Sequence, residues 1–104
     1  MIRHIVLVRF KPDTTEAQIS GILQGLATLT ALLSGARNFV GGRSTSPENL
    51  ERGYHHGFTM DFDTWSDLAL YADHPGHKAL GADIVSHAEG GLDGVLVLDV
   101  EVAG

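Results

Sequence analysis

Histidine and tyrosine are concentrated in one part of this chain. Four of the six histidines and both tyrosines lie between Tyr54 and His77, in the segments GYHHG and YADHPGH. These two side chain types are the commonest uncharged donors and acceptors of protons near neutral pH. A strand followed by two helices can bring them together, so the concentration indicates a small pocket with acid–base chemistry.

The composition restricts the class of protein. The chain has 104 residues, of which 43% are hydrophobic and 19% charged, and this predicts a single globular domain over residues 1–104. A net charge of −6 with scattered basic residues argues against a nucleic-acid partner. The absence of cysteine excludes disulfides, thiolate nucleophiles and cysteine-ligated zinc. Because no long apolar stretch is present, we expect no membrane partner and a cytoplasmic location.

The spacing of the apolar residues predicts the element order β-α-β-β-α-α-β. Strands are expected over residues 2–10, 36–44, 54–62 and 95–102, and helices over 15–33, 64–73 and 75–88. Thr15 and Gln18 have the spacing of a capping box at the start of the first helix. Pro75 suits the first turn of the third helix, and Gly41-Gly42 is expected to form a bend or bulge in the second strand.

This order is typical of the ferredoxin-like α+β fold, in which helices cover one face of a four-stranded antiparallel sheet. The first and last strands are apolar on both faces. The sheet face without helices would therefore be a large apolar patch. We expect two copies of the chain to cover it by pairing sheet to sheet as a dimeric α/β barrel.

Four segments resemble the stress-responsive dimeric α/β-barrel (Dabb) family: RHIVLVRFK at residues 3–11, GYHHG at 53–57, YADHPGH at 71–77 and VLDV at 97–100. The resemblance implies a ferredoxin-like protomer, a homodimer whose two sheets form a barrel, and a pocket between each sheet and its helices. One member of that family is a plant polyketide cyclase, and its catalytic Tyr and His would fall on Tyr71 and His77. Residues 89–94 depart from the cyclase, so the resemblance does not imply the same substrate.

Tyr71 and His77 are the predicted catalytic residues. His77 lies in the first turn of a helix, where the helix dipole and free N–H groups disfavour an imidazolium and leave a neutral proton acceptor. A neutral His that accepts the α-proton of a β-ketoacyl substrate, with the Tyr71 hydroxyl holding the enolate oxygen, would suffice for an aldol-type cyclisation or an isomerisation. The alternative is that His77 bonds a backbone carbonyl or caps the helix and that Tyr71 is a core aromatic.

The pocket around these two residues is expected to be lined by His4, Val6, Val8, Leu23, His56 and Phe58. His4 and His56 share strand faces with apolar residues, so both should point toward the helices, where they could approach each other. His55 and His56 are adjacent in a strand and point to opposite faces, so they do not form a chelating pair. No metal ion or organic cofactor is expected.

Three functions are compatible with these patterns. The first is a pocket for an unidentified, small, partly apolar molecule, with cofactor-free cyclase or lyase chemistry, and it predicts a sealed pocket. The second is a non-enzymatic stress-response or assembly protein in which the histidines are structural. The third is a heme or antibiotic-type monooxygenase, an activity found in other ferredoxin-like dimers.

Overall fold

The computed structural model describes residues 1–103 and contains the four strands and three α-helices that the apolar spacing predicts. The elements are β1 (Ile2–Val8), α1 (Glu16–Leu32), β2 (Ala36–Arg43), β3 (His56–Phe62), α2 (Trp65–Asp73), α3 (Pro75–His87) and β4 (Val95–Glu101), with a 3₁₀ turn at Gly91–Gly94 before β4.

The strands form one antiparallel sheet in the order β2-β3-β1-β4. β1 lies in the middle, and its Val6 pairs with Phe58 of β3 and Val97 of β4. The core lies between this sheet and the helices, and its largest fully buried side chains are Tyr71, Phe62, Leu26, Met60 and Val8. This is the ferredoxin-like fold that the element order predicts. No helix in the described part of the chain is long and apolar enough to cross a membrane.

Side-chain caps fix where the helices begin. The Thr15 hydroxyl accepts a hydrogen bond from the Gln18 N–H at 3.1 Å, and the Gln18 side-chain oxygen accepts one from the Thr15 N–H at 2.8 Å. This is the predicted capping box at the start of α1. The Thr64 hydroxyl accepts from the Asp67 N–H at 3.2 Å and begins α2 in the same manner.

Three predicted strand details are wrong. β1 ends at Val8, two residues before the predicted end, and Phe10 forms only an isolated bridge with Ala88. The irregularity in β2 lies between Arg37 and Val40, not at Gly41-Gly42. Asn38 adopts φ +58° there, a left-handed conformation that Asn tolerates, and its side-chain amide donates to Asp61 at 3.0 Å.

β3 begins at His56, two residues later than predicted. Arg52 and Gly53 both have positive φ and turn the chain just before the strand. Tyr54 consequently leaves the ladder, and the Arg9 guanidinium lies 5.4 Å from the centre of its ring.

The helix-free face is the sheet surface opposite α1, α2 and α3. On β4 it carries Leu96, Leu98 and Val100, each between 44% and 54% exposed. In the register of the sheet, Leu98 lies beside Ile5 and Leu96 lies beside Leu7. A continuous apolar surface therefore covers the middle of this face.

Candidate active site

A cavity of about 530 Å³ lies between the β1–β4 half of the sheet and the helices α2 and α3. Its lining is mostly apolar, and its polar side chains are His4, Tyr71, His77, Lys78 and Asp99. A sealed pocket was expected, but this one is open: Leu92 and Val97 in its lining are 73% and 55% exposed. An open, mainly apolar cavity with a few convergent polar groups is typical of a small-molecule site.

Tyr71 is placed by α2 with its ring in the core and its hydroxyl without a hydrogen-bond partner in residues 1–103. The ring packs against Phe62, with 5.1 Å between the ring centres. Burial raises the pKa of the Tyr71 hydroxyl, so the group stays protonated and can donate a hydrogen bond. An unpaired buried hydroxyl costs about 1–3 kcal/mol, a cost that a bound acceptor would offset.

His77 lies next to Tyr71, with 4.4 Å between the ring centres. The break between α2 and α3 positions it: His74 Nδ1 accepts from the Gly76 N–H at 2.9 Å, and Pro75 occupies the first turn of α3. The Nδ1 of His77 lies 3.0 Å from the Ala72 carbonyl oxygen. Because a carbonyl can only accept, Nδ1 carries the hydrogen and Nε2 keeps its lone pair.

The pKa of His77 is lowered, in the direction that the helix position predicts, but for a different main reason. Burial is the largest cause, and charge on His4 and His74 lowers the pKa further, while the bond to Ala72 acts the other way. The imidazole therefore favours its neutral, proton-accepting form mainly because the surrounding protein partly removes it from solvent.

His4 enters the cavity from β1. Its Nδ1 lies 2.6 Å from Oδ1 of Asp99, its cross-strand partner on β4. The imidazole is buried, and its ring centre lies 5.8 Å from that of Tyr71 in an edge-on arrangement.

The structure separates the residues predicted to line one pocket. His4, Val6 and Phe58 line the cavity together with Tyr71 and His77. Val8 is buried in the core and does not line it, and Leu23 and His56 lie along a second groove, of about 400 Å³, between α1 and β2.

The expected approach of His4 to His56 is not found. The register pairs His4 with Met60 and His56 with Val8, so the two histidines lie four residues apart along the strands. His56 instead bonds the carboxylate of Glu16, at 3.1 Å from its Nε2.

Asp99 and Lys78 belong to the cavity but were not predicted as site residues. Asp99 has a signal in the sequence, because it is a charged residue that alternates with Val95 and Val97 on the helix-facing side of β4. Lys78 has no signal beyond its position after His77. Within residues 1–103, no three His, Asp or Glu side chains come close enough together to hold a metal ion.

The sequence model of the stress-responsive A/B barrel domain (Dabb) matches residues 2–102. The chain belongs to this family. It is 33% identical over 98 residues to the stress-response A/B barrel domain-containing protein HS1 of Arabidopsis thaliana, covering 94% of this chain and 86% of HS1. It is 25% identical over 80 residues to olivetolic acid cyclase of Cannabis sativa, covering 77% of this chain and 79% of the cyclase.

Solved structures with the same fold include a dimeric ferredoxin-like protein of unknown function from Jannaschia. The two structures align with a TM-score of 0.90 and 30% identity, over 97% of this chain and 98% of that one. The hydroxynitrile lyase of Passiflora edulis aligns with a TM-score of 0.85 at 20% identity, over 98% and 93% of the two chains, and this likeness is one of fold.

Proposed function

We propose that the chain binds a small, partly apolar carbonyl compound in this cavity and catalyses a cyclase-type or lyase-type reaction by proton transfer. The observation that carries the proposal is the buried Tyr71 hydroxyl, which has no partner in residues 1–103 and lies beside an imidazole with a free Nε2. The similarity to olivetolic acid cyclase supports the reaction class, and Tyr71 and His77 are the positions at which the family resemblance implies a catalytic Tyr and His.

The proposed first step is removal of an acidic C–H proton. His77 Nε2 takes the proton from a carbon beside a carbonyl, and the electron pair of the broken C–H bond forms an enolate. Tyr71 donates its hydroxyl hydrogen bond to the enolate oxygen, where the negative charge develops. The apolar lining, which includes Val6, Phe58 and Ile84, would hold the hydrocarbon part of the substrate.

We propose in addition that the working protein is a homodimer. The relative from Jannaschia is described as dimeric. The helix-free face of this chain exposes an apolar surface that a second copy could bury.

A second candidate function is ligand binding without chemistry in a stress-response protein. It is favoured by the similarity to HS1, which is 33% identical in sequence to this chain, whereas the cyclase is 25% identical. In this case the cavity and the free hydroxyl would serve binding alone.

Exchange of α-protons distinguishes the two functions. The probe is the N-acetylcysteamine thioester of a medium-chain β-keto acid in deuterated buffer, and proton NMR follows the loss of its α-proton signal. We expect wild-type protein to accelerate the exchange, and His77→Gln to reduce the acceleration by about a hundredfold or more, since positioned acid–base groups contribute roughly 10²–10⁴. Tyr71→Phe should reduce it as well.

The matched control is His87→Gln, the same substitution on the same helix but at a partly exposed residue that bonds the Asp83 carbonyl. It should exchange at the wild-type rate. A wild-type rate equal to that of buffer, with the thioester still raising the melting temperature, would replace the enzymatic proposal by the binding function. A His77→Gln rate equal to wild type would remove His77 from the mechanism.

A further inference from the structure

The proposed first step leaves one polar pair of the cavity unused. His4 and Asp99 lie opposite each other on β1 and β4, and the 2.6 Å between Nδ1 and Oδ1 is slightly shorter than the usual charge-assisted N–H···O bond of about 2.7–2.9 Å. The His4 side chain is 10% exposed and that of Asp99 is 27% exposed. A carboxylate at this distance fixes the orientation of the imidazole and can stabilise positive charge on its ring.

The chain contains a second buried histidine paired with a carboxylate, and it differs in the features that matter. His56 uses Nε2 to bond Glu16, whose side chain is 64% exposed at the start of α1, and neither residue lines the cavity. His4 uses Nδ1, so its Nε2 is the nitrogen left without a partner in the described part of the chain, and the imidazole lines the cavity.

His4 and His77 therefore share one geometry but face different electrostatic partners. Each is held through Nδ1, each leaves Nε2 free, and each ring contacts the ring of Tyr71. The Nδ1 of His77 faces an uncharged carbonyl, whereas that of His4 faces a carboxylate. The Asp99 carboxylate can stabilise a positive charge on the His4 ring, and the carbonyl beside His77 carries no such charge.

We propose that His4, held by Asp99, is the general acid of the cavity and complements His77 as the general base, a role that rests on the proposed function. His4 would be a catalytic residue, and Asp99 a positioning residue that acts through it. The substrate class follows, since an acid and a base on one substrate suit a compound with two reactive positions, such as two carbonyl groups or a carbonyl and a neighbouring double bond.

The protons and electrons balance within the site. With a second carbonyl, the enolate carbon attacks the carbonyl carbon, the C=O electron pair moves to oxygen, and that oxygen takes the Nε2 proton of His4. With a neighbouring double bond, the terminal carbon of the dienolate takes the same proton, and the double bond shifts. Solvent then returns the proton from His77 to His4, so no oxidant or reductant takes part.

The double-bond shift provides the test, because conjugation of a β,γ-unsaturated ketone can be followed by ultraviolet absorbance. We expect a bell-shaped pH dependence, in which the acidic limb reports protonation of His77 and the alkaline limb reports loss of the His4 proton. The ionisable groups that face His4 are Asp99 from β4, Tyr71 from α2 and His77 from α3, with Lys78 also lining the cavity.

Asp99→Asn is the deciding variant, since it keeps the size of the side chain and removes the charge. It should lower the maximal rate by about tenfold or more and move the alkaline limb to lower pH. Glu16→Gln, which removes the charge of the other histidine–carboxylate pair, should leave both limbs in place. His4→Gln should lose the alkaline limb altogether, and circular dichroism confirms that each variant is folded.

The outcomes separate this role from the proposed function. If Asp99→Asn and His4→Gln retain the wild-type profile while His77→Gln loses the acceleration, the His4–Asp99 pair is structural and the proposed function stands. If wild-type protein catalyses neither the shift nor the α-proton exchange, the proposed function itself is overturned. A uniform loss of rate in Asp99→Asn with both limbs unmoved would also contradict the acid role.

Discussion

Tyr71 is the residue on which the proposed chemistry depends most directly. Its ring is held by the core, while its hydroxyl is buried without a partner in residues 1–103. A residue needed only for packing could be a phenylalanine, which would avoid the cost of the unpaired hydroxyl. The hydroxyl is therefore best explained by a ligand that accepts its hydrogen bond.

The lowered pKa of His77 has a consequence for stability that can be measured. In the unfolded chain its pKa is near the ordinary value of 6.5, and in the folded state it is lower. As the pH falls through 6.5, the unfolded state binds more protons than the folded state, so the free energy of unfolding decreases. We expect the wild-type melting temperature to fall more steeply than that of His77→Gln between about pH 7 and about pH 5.

The difference between the two proteins isolates His77 from the other histidines. The other five histidines are present in both proteins, so the difference between the two curves belongs to His77. His87→Gln should fall in parallel with wild type. Parallel curves for His77→Gln and wild type would show that His77 is not desolvated as described.

At the residue scale the sequence predicted part of the cavity lining: His4, Val6 and Phe58 lie there with Tyr71 and His77, whereas Val8, Leu23 and His56 do not. Tyr71 and His77 could be named from their spacing and the family resemblance, and the structure places them side by side. The main cause of the lowered pKa of His77 could not be predicted, because burial depends on packing among distant segments. The role of Asp99 depends likewise on the register between β1 and β4.

At the element scale, the contact between α1 and α3 supports the helix that carries His77. A Cβ added to Gly25 of α1 would lie 2.9 Å from Leu80 Cδ2 on α3, whereas one added to Gly21 would meet nothing within 4 Å. Gly25 therefore permits close packing of the two helices. Gly21, on the same helix, only weakens α1.

The two glycines should respond differently to alanine. Gly21→Ala should raise the free energy of unfolding by about 0.5–1 kcal/mol, the usual difference between the two residues inside a helix. Gly25→Ala should give a smaller gain or a loss, because Leu80 must move. Urea unfolding of both variants and wild type measures the difference. A gain for Gly25→Ala equal to or larger than that for Gly21→Ala would contradict the described contact.

Helix boundaries were more predictable than strand irregularities for a physical reason. Thr15 and Thr64 cap helices through bonds to residues three positions away, so the signal is local. The bulge at Asn38 is stabilised in part by a hydrogen bond to Asp61 on the neighbouring strand. Such a contact has no local signal, and the glycines nearby were the more conspicuous feature of the sequence.

At the scale of the whole molecule, the helix-free face and the cavity lie on opposite sides of β4. Val97 and Asp99 line the cavity, while Leu98 between them belongs to the apolar surface. A dimer formed through this surface would hold β4 in place and with it one wall of the cavity. Formation of the proposed dimer is therefore linked to the geometry of the cavity.

Native mass spectrometry, with and without the medium-chain β-keto thioester in excess, tests the central claim of a dimer with one small-molecule cavity in each subunit. We predict a wild-type dimer that binds two thioester molecules. Leu98→Asp, which places a charge in the helix-free face, should be a monomer. Leu70→Asp, at a 68% exposed position on α2, should remain a dimer. A monomeric wild type at micromolar concentration, or a dimer that binds no thioester, would contradict the account.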